Sequence, residues 1–197
     1  MGFFSSCYRY LYLPLMMQPD DKEILDQFKI PSLKEKAFTQ LIKKYQERIY
    51  WHIRRMVIEH EDANDVMQNV FIKVWKALEQ FRQDSQLYTW LYRIATNECL
   101  TFLEQQKKRA TLSIDGSASG FSETIKADKH FDANKPEWKL QLAIQQLPDK
   151  QRVVFNLRYY DEMPYEEMSR VLDTSQGALK ASYHHAVKKI EAFILNH

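Results

Sequence analysis

Gln176, Lys180, Ser182, His184, His185 and Lys188 fall close together near the C-terminal end of a 197-residue chain, with Glu191 as the only acid among them. Their side chains offer hydrogen bonds and positive charge, and Gly177 and Ala178 keep the start of the segment small. That chemistry suits base edges and phosphates in a DNA major groove. The same pattern also suits an ordinary antiparallel helix pair with a solvated charged face, so the elements that carry these residues must decide.

Those elements read as a helix-turn-helix. Pro164 suits a first helical turn, where its missing N–H would have had no partner, and Tyr165, Met168 and Val171/Leu172 recur at helical spacing. Asp173, Thr174 and Ser175 interrupt the pattern with side chains that bond their own backbone. Ser175 is placed to cap a second helix by accepting the N–H of Gly177 or Ala178. Beyond it, Leu179, Tyr183, Ala186, Ile190 and Phe193 step by four, three, four and three, which makes one inward stripe and turns the basic residues outward.

Two further stretches carry binding chemistry. In DANDVMQNVFIKVWKALEQF the apolar face is Val66, Val70, Val74 and Leu78, flanked by Phe71 and Trp75, while Asp62, Asp65, Gln68 and Asn69 form an acidic and amide stripe. The stripe suits a basic helix from a partner, with a solvated face as the alternative. The predicted helix runs from about Ala63 to Gln80, with Asp62 as its cap. The second stretch follows a polar break at Phe81–Gln86, where LYTWLYRIATNECLTFLEQQKKR makes a helix with a basic end. Tyr88, Trp90 and Tyr92 interleave with Thr89, Arg93 and Asn97, so stacking surfaces sit beside charge that neutralises phosphate. Trp90, Leu91, Ile94 and Leu100 are equally candidates for a core.

Composition bounds the rest. At 45% apolar and 13% aromatic the chain can build cores, and six Pro with four Gly beside much Leu, Ile, Lys, Glu and Gln favour an all-α fold. A net charge of +2 leaves nucleic-acid binding to local basic patches. Phe38, Leu41/Ile42, Tyr45, Ile49, Ile53 and Val57 define a long amphipathic helix from Leu33 to Ile58. Residues 110–135, with two of the four glycines and no lasting periodicity, read as a flexible linker. After Pro136 come two helices, one stopped by Pro148 and one from Asp149 to Tyr160.

The expected organisation is a tail over 1–30, a helical domain over 31–109, a linker over 110–135 and a helix-turn-helix domain over 136–197. Cys7 and Cys99 form no CxxC and no Cys/His set has ligand spacing, so no metal, cofactor or disulfide is expected, and a reducing cytoplasm fits. His60 among carboxylates lacks a second His at ligand spacing. No apolar run is long enough to cross a bilayer, and MGFFSSCYRYLYLPLMMQ lacks the basic start and cleavage site of a signal peptide. Gly2 with Ser6 matches a myristoylation pattern only formally, a disordered tail fits better, and Met16 and Met17 are alternative starts.

DANDVMQNVFIKVW, FRQDSQLYTWLYRIATN and LPDKQRVVFNLRYYDEMPYEEMSRVLDTSQGALKASYHHA, in that order, resemble the successive signatures of extracytoplasmic-function sigma factors of bacterial RNA polymerase. The likeness spans residues 33–109 and 136–195. It implies a non-enzymatic subunit that binds core polymerase and directs initiation at specific promoters. The family's first domain docks on the clamp helices of the largest polymerase subunit, which assigns Asp62, Asp65, Gln68 and Asn69 to core binding. Its minus-10 reader, which melts DNA and holds an unstacked base, maps to Asp84, Ser85, Gln86, Tyr88, Arg93 and Asn97. Its minus-35 reader maps to Gln176, Lys180, Ser182, His184 and His185.

Where many members carry Arg, Ser182 and His185 stand instead, so bidentate guanine reading from those sites is lost. Promoter DNA and core polymerase are the implied partners, with an anti-sigma factor as a further partner that many members require. The alternative reading is a helix-turn-helix regulator with a helical sensory or dimerisation domain, which needs neither the acidic stripe nor the Tyr88–Arg93 surface. A helical hydrolase is disfavoured, because GxxxxGK[ST], HExxH and GxSxG are absent.

Overall fold

The computed structural model describes residues 19–112 and 136–196. The tail over 1–18, with Cys7 and the formal myristoylation pattern, and the linker beyond residue 112 lie outside the described residues. Among the described residues there are helices and turns and no strand.

α1 (Asp21–Phe28) lies upstream of the boundary expected at residue 31. Asp20 starts it by accepting the N–H of Asp21 at 2.7 Å. Ile24, Leu25 and Phe28 are buried against α2 (Lys34–Met56), and Tyr45 of α2 donates its hydroxyl to Asp21 at 2.7 Å. Every fourth or so residue of α2 is buried, through Ala37, Leu41, Tyr45, Ile49, Ile53 and Met56. Its basic last turn, Arg54 and Arg55, complements the negative end of the helix dipole.

α3 (His60–Ala77) begins earlier than its sequence suggested. Glu59 occupies the cap position without a side-chain bond, and Asp62 sits inside the first turn, where its charge favours the helix N-terminus. A 3₁₀ turn, Leu78–Gln80, ends it. Phe28, Phe38, Phe71 and Trp75 form an aromatic cluster between α1, α2 and α3, with the Trp75 ring 4.9 Å from Phe38 and 5.3 Å from Phe28. α4 (Leu87–Leu112) closes the first bundle against α2 and α3.

The second bundle comprises α5 (Pro136–Gln145), α6 (Asp149–Tyr159), α7 (Tyr165–Leu172) and α8 (Gln176–Asn196). Pro164 lies just outside α7, as its cap. The turn to α8 places Asp173 at φ 49°, and Ser175 accepts the Ala178 N–H at 3.3 Å, the predicted cap. Leu179, Ala186 and Ile190 are buried as the stripe required, with Tyr183 and Phe193 half-buried beside them.

The two bundles also pack on one another. α4 lies against α7 and α2 against α6, so Val153, Leu157, Met168, Val171 and Leu179 continue the apolar core of the first bundle. A smaller core of Ala143, Ile144, Leu147, Phe155, Ala186 and Ile190 belongs to the second bundle alone.

Candidate partner and nucleic-acid interfaces

On α3 the apolar residues Val66, Val70 and Val74 point into the bundle, which leaves Asp65, Gln68 and Asn69 exposed and Asp62 half-buried beside them. Burial, and then the neighbouring Glu59, Asp65 and Glu61, push the Asp62 carboxyl above its usual range. Carboxylates crowded in this way gain from an incoming cation. Sequence reasoning missed Ile72, which lies on the same face one turn beyond Gln68 and is 51% exposed. With Phe38, Met67, Phe71 and Trp75 it lines a shallow apolar groove beside the stripe. A single apolar residue on a polar face was the available signal.

Phe81 to Gln86 forms the approach to α4. Gln83 sits at φ 61°, Asp84 and Gln86 are exposed, and Ser85 is half-buried. The Gln86 carbonyl accepts the Trp90 N–H at 3.2 Å and so starts the helix. Arg93 and Asn97 stand exposed one turn apart. Trp90, three residues before Arg93, is half-buried with its ring 5.1 Å from Phe81, so it packs on the core and also borders that outward strip.

Tyr88 is half-buried. Tyr92 and Thr89, read from the sequence as part of the stacking surface, are buried against the second bundle at 1% exposure each. Of the basic end, Lys107 pairs with Asp149 and Lys108 with Glu104, which leaves less free charge than the sequence suggested. Lys73 pairs with Glu98, so the outward faces of α3 and α4 belong to one unit.

On α8 Gln176, Lys180, His184 and His185 are exposed, with the two imidazole rings 6.2 Å apart. The Lys180 ammonium lies 5.8 Å from the Tyr165 ring of α7. Ser182 is half-buried and lines a cavity with Leu100, Lys150 and Val153, so it flanks the outward face. At 100° per residue the centre of that face is Gly177, Ala181, His184 and Lys188, all exposed. Nothing lies within 4 Å of a Cβ built on Gly177. Ala181 was missed as a member of the face because, like Ala178 near its start, it carries no polar group. Their contribution is close approach.

Among the described residues no three His, Cys, Asp or Glu side chains gather as metal ligands, and His60 bonds Tyr50 at 2.7 Å and Asn64 at 3.2 Å. No described helix is long and apolar enough to cross a membrane.

Two family models match in order: Sigma-70 region 2 over residues 41–109 and Sigma-70, region 4 over residues 137–190. The RNA polymerase sigma-H factor of Pseudomonas aeruginosa is 30% identical over 185 residues, which is 90% of this chain and 95% of that protein. The ECF RNA polymerase sigma-E factor of Escherichia coli K12 is 33% identical over 168 residues, 80% of this chain and 86% of the relative. Among solved structures, CnrH in complex with the cytosolic domain of CnrY aligns with a TM-score of 0.64 at 22% identity, covering 88% of this chain and 96% of that one. The sigma factor RpoE in complex with the anti-sigma factor NepR from Bartonella quintana aligns at 0.60 and 20% identity, covering 81% and 97%.

Proposed function

Because this chain belongs to the sigma-70 family, as an RNA polymerase sigma factor of the extracytoplasmic-function type that directs promoter-specific transcription initiation, we propose how its three outward faces divide that work. Asp62, Asp65, Gln68 and Asn69 dock on a basic helical surface of core polymerase, the clamp helices of its largest subunit. Asp84, Ser85 and Gln86 hold a base unstacked from the minus-10 element, Tyr88 borders that pocket, and Arg93 and Asn97 contact the strand. Gln176, Lys180, His184 and His185 read the minus-35 element, with Ser182 at the margin of that contact.

The protein acts by binding and carries out no chemistry of its own. Unstacking a base costs a few kcal/mol per step, and stacking on a side chain returns about 1–3 kcal/mol per base. The observation that carries the assignment is the outward strip of α4. Arg93 and Asn97 are exposed beside Trp90 and Phe81, immediately after a loop of exposed polar side chains. Phe81 and Trp90 pack on the core from one side and leave part of each ring beside that strip.

The protein works where RNA polymerase works, in the cytoplasm. An anti-sigma partner, of the kind bound in the Bartonella quintana complex, would block initiation by covering the α3 face. Charge reversal separates the faces. Asp65→Arg should abolish capture by core polymerase while leaving the fold intact. Arg93→Ala should leave capture unchanged and slow formation of the open promoter complex. Equal loss of core binding in both variants would refute the division.

A further inference from the structure

The reading face of α8 carries two side chains whose charge is not fixed. His184 stands at the centre of that face with Gly177, Ala181 and Lys188, and all four are exposed. Helical geometry puts Lys180 and His185 at its opposite edges, each about 70° from the centre. Imidazole is the side chain whose charge ordinarily changes between pH 5 and 8. The face therefore has one charge in base and another in acid.

Nothing else in the structure occupies these rings. They lie 6.2 Å apart at an angle of 54°, and neither makes a hydrogen bond or an ion pair among the described residues. His52 and His60, by contrast, are bonded to Thr96 and Tyr50. On α8 itself Lys180 and Lys188 lie one turn either side of His184, Glu191 lies two turns beyond it, and Lys189, one turn beyond His185, bonds Gln151 of α6. α7 brings Tyr165 against Lys180, while its Glu166, Glu167 and Arg170 pair with one another. α6 brings Lys150, beside Ser182 in one cavity, and Arg158, which bonds the Met163 carbonyl at 3.2 Å. α5 carries Lys139.

With both imidazoles neutral, the face holds two lysines against Glu191, a net charge of +1, and protonation of both makes it +3. Two protons thus add as much charge to one helix face as the whole chain carries at pH 7, which is +2. DNA supplies the partners that the protein withholds. Phosphate oxygens and the O6 and N7 atoms of guanine are acceptors, and an acceptor or an anion beside an imidazole favours its charged form. A neutral imidazole donates from one nitrogen only, an imidazolium from both. Gly177 and Ala181 let the helix approach closely, with nothing within 4 Å of a Cβ built on Gly177.

Resting on the minus-35 reading of α8, we propose that this helix takes up protons when it binds the element, with His184, and His185 at its edge, engaged as imidazolium. The complex then holds more protons than the free protein, so promoter affinity falls as pH rises from 6 to 8.

The test is equilibrium binding of preformed holoenzyme to duplex promoter at pH 6 and pH 8, in wild type and in the double variant His184→Gln/His185→Gln. Glutamine keeps hydrogen-bonding capacity and removes the titration, and the ratio of the two proteins cancels pH effects that arise in core polymerase or in the DNA. On going from pH 8 to pH 6, wild type should gain at least about fivefold in affinity over the double variant. Its salt slope should steepen by about 0.9 for each imidazole that contacts a phosphate. Calorimetry at pH 7 in two buffers of different ionisation enthalpy should show proton uptake in wild type and little in the double variant. A pH-independent ratio, or equal proton uptake by the two proteins, would overturn the proposal.

His184→Lys fixes the charge at the centre of the face. It should lose most of the pH dependence and show at pH 8 the steeper salt slope of wild type at pH 6; a full pH dependence in this variant would count against His184. Lys180→Ala separates the proposal from the reading beneath it. A flatter salt slope in Lys180→Ala beside a pH-independent ratio would keep α8 in the groove and remove the protons, whereas an unchanged slope in Lys180→Ala would remove the minus-35 reading and the proposal with it.

Discussion

Lys180→Ala should flatten the salt dependence of promoter binding by the amount one phosphate contact contributes. On α8 the outward lysines are Lys180 and Lys188, neither of which makes an ion pair among the described residues. Lys189 is turned toward α6 and bonds Gln151 at 2.9 Å. Each lysine that neutralises a phosphate contributes about 0.9 to the slope of log affinity against log salt. Over a fourfold rise, from 50 to 200 mM, that slope corresponds to about 3.5-fold in affinity per contact. The assay is equilibrium binding of preformed holoenzyme to duplex promoter at four salt concentrations, which cancels the salt dependence of core binding between wild type and variant. Lys180→Ala should reduce the slope by about 0.9, and Lys189→Ala should leave it unchanged. An unchanged slope in Lys180→Ala, or an equal change in both, would refute the placement of α8 in the groove.

Three further outcomes are expected. Phe28→Ala should cost about 3–5 kcal/mol in urea unfolding, because the ring is 1% exposed and packs on Trp75; a cost below about 1 kcal/mol would mean that α1 is no part of the fold. Trp90→Ala should cost less than Phe28→Ala yet slow promoter opening more, as a half-buried ring at a DNA face requires, and the reverse order would return Trp90 to the core. Asp62→Asn should raise thermal stability at pH 7, by about 0.5 kcal/mol at most, because burial and repulsion from Glu59, Asp65 and Glu61 outweigh the attraction of the helix N-terminus, and it should weaken core binding. The sign follows from the raised Asp62 carboxyl: the unfolded chain gives up this proton first, so stability falls as pH rises from the ordinary carboxylate range through the raised folded value. The gain should vanish in acid, and a gain that persists there would contradict it.

Much of this architecture was legible from periodicity. The inward stripe of α8 and the Ser175 cap follow from local spacing and one hydroxyl, and the polar face of α3 follows from the apolar residues opposite it. Local signals failed where the partner is distant. DKEILDQF of α1 has too few apolar residues to declare itself, and its burial depends on α2. Asp62 looked like a cap because Asp caps helices, yet acids in a first turn stabilise it equally well through the dipole. Tyr92 and Thr89 carry polar groups at a helix face that periodicity left open, and their partners, Asp161 and Glu167, lie far along the chain. Ser182 was assigned by its neighbours in sequence, but on the helix it is turned toward α6.

The central claim is that this chain confers promoter choice on RNA polymerase, and run-off transcription measures it directly. Purified bacterial core polymerase would transcribe fragmented genomic DNA with and without the protein, and the 5′ ends of the RNA would be sequenced. Protein-dependent starts sharing two upstream elements, lost in Asp65→Arg, are the expected result. Binding to duplex DNA without core polymerase, together with no new starts when core is supplied, would contradict the account.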